Sequence, residues 1–98
     1  MPTAKPKRDT LILDVFTSTS GYQFLCFETE DGNKVLSQRG WGRRLPVDEV
    51  ITAIQAYFDE NGRPWVIRTD ALSVFCNAEF RGFMVVSGVQ HIISPLNR

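Results

Sequence analysis

The sequence predicts a single α/β domain: a mixed five-stranded sheet with helices packed on it, in the order β-β-β-α-β-α-β. Three observations lead there. Ninety-eight residues, 43% apolar, 11% aromatic and 22% charged, have the length and composition of one folded globular domain. Residues 11–38 carry three short apolar runs separated by turn residues. Two later stretches show helical spacing of apolar residues, and each is followed by another short apolar run. A helix between two strands makes a crossover, so the strands after each helix should run parallel to one already in the sheet. An antiparallel meander should therefore lie at one side and parallel strands at the other.

Residues 1–9, with Pro2, Pro6, Lys5, Lys7 and Arg8, read as a flexible basic arm, and order should begin at Thr10, opening a domain over 10–98. Leu11-Ile-Leu-Asp-Val-Phe16 is almost wholly apolar, the pattern of a strand buried on both faces. Tyr22–Phe27 follows as a second strand. Glu30-Asp-Gly-Asn33 is a tight-turn signal, and Lys34–Gln38 returns as a third. Arg39-Gly-Trp-Gly-Arg-Arg-Leu45 is a basic, glycine-rich loop. Pro46 suits a first helical turn, and Asp48 and Glu49 suit the positive end of the helix dipole. Val47, Val50, Ile51, Ile54 and Phe58 then mark one face of a helix over 47–60, stopped by Asn61-Gly62 and Pro64. Trp65–Asp70 is the fourth strand. Asn77 caps a shorter helix running to Ser87, with Phe80, Phe83 and Met84 on its inner face and Gly88 ending it. Val89–Ile93 is the last strand, closed by Pro95. Trp65 and Tyr57 read as core.

Several function classes are excluded or disfavoured at once. Eleven basic side chains balance eleven acidic ones, so there is no global basic field. No apolar run approaches the ~18–20 residues of a membrane span. The first ten residues lack a secretory pattern, so a cytoplasmic location is expected. Cys26 and Cys76 each sit in apolar sequence and read as buried free thiols. With His91 they do not make a zinc framework.

Two carboxylates stand out. Asp14 interrupts an apolar strand, and Asp70 ends another. Were those strands neighbours, both would converge on one end of the sheet, where a divalent cation would relieve their repulsion. The alternative is structural: Asp14 meets an arginine or caps backbone, and Asp70 starts a turn. Arg39, Trp41, Arg43 and Arg44 form the basic cluster with an aromatic in it, suited to a nucleic-acid backbone with Trp41 as a stacking face. The competing reading there is a solvated loop with Trp41 folded onto the core. His91 reads as a hydrogen-bonded structural residue.

The string Gly62-Arg-Pro-Trp-Val-Ile-Arg-Thr-Asp70, with Phe75, Asn77-Ala-Glu-Phe80, Gly88, His91 and Ser94-Pro95, resembles the catalytic core of retroviral-type integrases and related transposases of mobile elements. Leu13-Asp-Val-Phe16 followed by Ser20-Gly-Tyr22 is similar to that family's first strand. The resemblance covers nearly all of residues 11–96. It implies a ribonuclease H-like fold, DNA as partner, Mg2+ or Mn2+ as cofactor and metal-dependent DNA strand transfer in DNA integration. Asp14 and Asp70 would then be the catalytic and metal-binding pair that opens the family's Asp-Asp-Glu (DDE) triad, whose ions clamp the scissile phosphate. Two departures are plain. Ala71-Leu72 stand where the family has Asn-Gly, and no glutamate follows Glu79 in these 98 residues, so the family's C-terminal helix and its third carboxylate are expected to be missing from them. The expectation is a domain inactive alone, with an uncovered apolar patch and therefore a homodimer. The rival is a non-catalytic nucleic-acid-binding or oligomerisation module that retains the fold.

Overall fold

The computed structural model describes residues 10–37, 39–42 and 44–94; the expected N-terminal arm, the strand end at Gln38 and the stop at Pro95 lie outside them. The elements are β1 (Thr10–Thr17), β2 (Gln23–Thr29), β3 (Lys34–Leu36), α1 (Val47–Asn61), β4 (Val66–Thr69), α2 (Ser73–Cys76), α3 (Ala78–Ser87) and β5 (Gln90–Ile93). The sheet order is β3-β2-β1-β4-β5. β1, β2 and β3 pair antiparallel, and β1, β4 and β5 pair parallel. This is the predicted mixed five-stranded sheet.

Local chemistry sets the boundaries. At the β2–β3 turn the Gly32 amide reaches the Thr29 carbonyl at 3.0 Å, with φ of 93° that glycine adopts without steric cost. Asp48 and Glu49 sit in the first turn of α1, after Pro46. The Asn77 side chain accepts from the Glu79 amide at 2.7 Å and opens α3. Gly88, left-handed at φ 74°, closes it by donating toward Met84 and Val85. The short helix α2 has no counterpart in the sequence reading. Four residues are too few to show a helical period, and it is anchored by Phe75, which is fully buried against Phe80 with ring centroids 5.5 Å apart.

Both crossovers, β3 to β4 and β4 to β5, step the same way across the sheet. Right-handed connections then put both helices on one face. The core follows that layout. Leu11, Leu13, Leu25, Phe27 and Ile67 from the inner face of the sheet meet Val50, Ile54, Phe58, Phe80 and Met84 from the helices. Each fully buried aliphatic side chain here contributes roughly 1.5–3 kcal/mol.

Three expectations are corrected. β1 is buried on one face only: Leu11 and Leu13 are inside, whereas Ile12 and Asp14 are half-buried and Phe16 is 50% exposed. Its outer face has no helix over it among the described residues. Trp65 is 74% exposed because it precedes β4 instead of lying in it, while Tyr57 does pack, stacked on Phe27 at 4.6 Å. Of the two free thiols, Cys26 is half-buried and Cys76, at the end of α2, is exposed. Leu25 and Phe27 on either side of Cys26 face the core from the opposite side of β2, and Phe75 is buried beside the exposed Cys76.

Candidate functional site

β1 is where the sheet changes direction. The chain leaves it toward β2 on one side and later returns to β4 on the other, so the carboxyl ends of β1 and β4 form the crevice where open α/β sheets place their sites. The parallel register aligns Leu11 with Ile67 and Ile12 with Arg68. Two residues beyond the last aligned pair come Asp14, still within β1, and Asp70, one residue past the end of β4, so the two carboxylates predicted from sequence lie on neighbouring stretches of chain at the same end of the sheet.

Both are also tied locally. An Asp14 oxygen, Oδ1, accepts from the Val15 amide at 2.8 Å. Asp70 Oδ1 accepts from the Leu72 amide at 3.3 Å, a side-chain turn that bends the chain out of β4. Opposite Asp14 on β2 stands Cys26. Burial pushes its thiol above the ordinary value, with Lys34 opposing and Asp14 and Glu28 adding, so it is a thiol at neutral pH and a poor metal donor.

Next to Asp70 lies Thr69, fully buried. Its hydroxyl donates to the Asp70 carbonyl at 2.9 Å and meets His91 Nε2 at 2.9 Å. His91 comes from β5 and sets its ring edge-on to Phe80, with centroids 5.2 Å apart. It is the hydrogen-bonded histidine expected. Burial, with Arg81 nearby, pulls its pKa below the ordinary value.

The basic cluster is partly spent on the fold. Trp41 is 6% exposed, belongs to the core, and donates its indole N–H to Glu49 Oε1 at 2.9 Å. Its ring is therefore turned into the protein, not offered to a base. Arg39 pairs with the same oxygen at 3.0 Å. Arg43 lies outside the described residues. Arg44 lines a cleft of about 660 Å³ with Val15, Gln23, Pro46, Ser73 and Asn77. Val15 lies on the opposite side of β1 from Asp14, so cleft and carboxylates share an end of the sheet and not a face. Glu49, which organises this loop, reads in the sequence only as an acid at the helix dipole, since its two partners come from outside α1 and only folding brings them to it.

The donor chemistry suits a hard divalent cation in kind, being carboxylate oxygen. In number it is incomplete: among the described residues no three His, Cys, Asp or Glu side chains gather to hold a metal. Glu79 sits exposed in the first turn of α3.

No protein-family model matches the sequence, and no curated protein matches it. Solved structures do. The HTLV-2 integrase catalytic core domain in complex with magnesium matches in its dimeric form at a TM-score of 0.74 and 20% identity, over 88% of this chain and 60% of that one. Its trimeric form matches at 0.73 and 20%, over 89% and 60%. A chain of the simian T-cell lymphotropic virus intasome in complex with the PP2A regulatory subunit B56 gamma matches at 0.73 and 19%, over 89% and 32%. The chain has a retroviral integrase core fold. The integrase-core likeness covers nearly all of this chain, and the chain spans about a third to three fifths of the structures it matches. The resemblance read from the motif string therefore holds at the level of fold. No helix among the described residues is long and apolar enough to cross a membrane.

Proposed function

We propose that this chain is an integrase-core-like domain that binds DNA and holds a divalent cation, Mg2+ or Mn2+, on Asp14 and Asp70. The observation that carries the reading is the register. Asp14, within β1, and Asp70, just past the end of β4, each follow by two residues the last aligned pair of these parallel neighbours, Ile12 and Arg68, beside the switch point of the sheet. The likeness to integrase cores solved with magnesium supports the metal, and likeness to an intasome chain supports DNA. When bound, the cation would polarise a phosphodiester oxygen and neutralise charge building on it. The two aspartates hold it and the amides of Val15 and Leu72 orient their carboxylates, while Arg44 at the same end of the sheet offers charge to the DNA backbone. A third carboxylate is not among these residues, so on their own they bind rather than complete strand transfer.

Calorimetric titration with Mn2+ tests this beside the Asp14→Asn/Asp70→Asn variant. Asparagine keeps both Oδ1 acceptors, for Val15 and Leu72, and removes only charge. Saturable binding lost in the variant is expected. An absence of binding by the unaltered chain refutes the metal platform.

The second reading, a non-catalytic oligomerisation module, rests on the outer face of the sheet. Phe16, Leu36 and Ile92 are 50%, 46% and 37% exposed there. Burying such a face against a second copy would give the expected homodimer. Sedimentation at micromolar concentration decides: a clean monomer removes the dimer.

A further inference from the structure

Beyond the cation itself, though resting on that reading of the site, the geometry points to His91 as a positioning residue for Asp70. It would act through the hydroxyl of Thr69. A carbonyl can only accept, so the 2.9 Å contact from Thr69 Oγ1 to the Asp70 carbonyl uses the single hydroxyl proton of Thr69. The 2.9 Å contact between that oxygen and His91 Nε2 must then be donated by the histidine. The ring is thereby fixed with its proton on Nε2, a choice the two contacts make together. Thr69 is fully buried, so no solvent competes for its oxygen.

The consequences converge on one residue. The peptide before Asp70 is held by the Ser94 amide, which donates to the Thr69 carbonyl at 2.9 Å. The peptide after Asp70 is held by the Thr69 hydroxyl. The carboxylate between them receives the Leu72 amide. Two of these anchors, His91 and Ser94, come from β5 or directly follow it. The short edge strand thus clamps the end of β4, and Asp70 with it. Protonation of His91 keeps the Nε2 proton, so the clamp does not depend on the charge of the ring; it depends on a donor at that point.

The test uses the full chain and two substitutions. His91→Phe keeps a ring against Phe80 and removes the donor, whereas His91→Gln keeps a donor. Nitrogen-15 NMR of the unaltered protein should show the neutral Nε2–H tautomer. In His91→Phe the Leu72 amide should exchange about tenfold faster, with Ile54 in α1 unchanged, and the Mn2+ dissociation constant should rise by about tenfold, the range in which partners of metal ligands act. His91→Gln should restore both. Should His91→Phe fail to fold, Thr69→Val breaks the same relay from its other end and should loosen Leu72 alike. The proposal is overturned by an Nδ1–H tautomer, by unchanged Leu72 exchange, or by His91→Gln matching His91→Phe. If the unaltered chain binds no Mn2+, the metal reading fails, and the Leu72 exchange still decides the positioning role.

Discussion

Trp41→Phe separates a tryptophan that builds the core from one that waits for a base. The indole is 6% exposed and its N–H reaches Glu49 at 2.9 Å. Phenylalanine keeps an aromatic ring in place and loses the donor. A hydrogen bond to a charged group contributes roughly 1.5–3 kcal/mol. The Glu49 side chain is 36% exposed and keeps Arg39, so water can replace the lost donor, and a loss just below that range, about 1–1.5 kcal/mol, applies. The smaller ring gives up about 40 Å² of buried apolar surface, about 1 kcal/mol more. The sum, about 2 kcal/mol, lowers the melting temperature of a domain this size by about 8–16 °C. Urea denaturation followed by circular dichroism measures it, and the Trp41→Phe/Glu49→Ala cycle isolates the hydrogen bond. Binding of a single-stranded oligonucleotide should be unaffected once the variant is compared at a temperature where it is folded. A stability loss under about 0.5 kcal/mol, the scale of an ordinary surface substitution, together with weakened oligonucleotide binding, would refute the burial argument.

Two further outcomes follow from single contacts. Asn77→Ala removes the acceptor for the Glu79 amide and should cost about 1 kcal/mol, seen as a lower urea midpoint with an unchanged slope. For pH, the folded pKa of His91 lies below its unfolded value, so the unfolded chain takes up the proton first. The stability contributed by neutral His91 is complete above about pH 6.5 and is lost as pH falls from there through the folded value. Melting between pH 5 and 7 should show this decline in the unaltered protein and a shallower one in His91→Gln.

What the sequence determined by itself was whatever depends on near neighbours. The helical period of Val50, Ile54 and Phe58, the Asn77 cap and the Gly88 stop place α1 and α3, because capping and amphipathic spacing act within a few residues. The apolar runs place the strands to within a residue or two, and Asp14 and Asp70 are visible as charges in the wrong company. The motif string carried the fold class as well, since it samples both central strands. Tertiary structure decided the rest. That β1 has helices over one face and, among the described residues, none over the other follows from two crossovers stepping the same way, which no single strand encodes. Trp65 stands beside an apolar run and is exposed, whereas Trp41, between glycines in a basic loop, lies in the core, because the sheet and α1 close over only one of them. The approach of Asp14 and Asp70 on neighbouring chain segments needed the β1–β4 pairing, and the Thr69 relay needed β5 to arrive beside β4. Contacts between residues far apart in the chain depend on how whole elements pack, and a reading of local spacing does not contain that information.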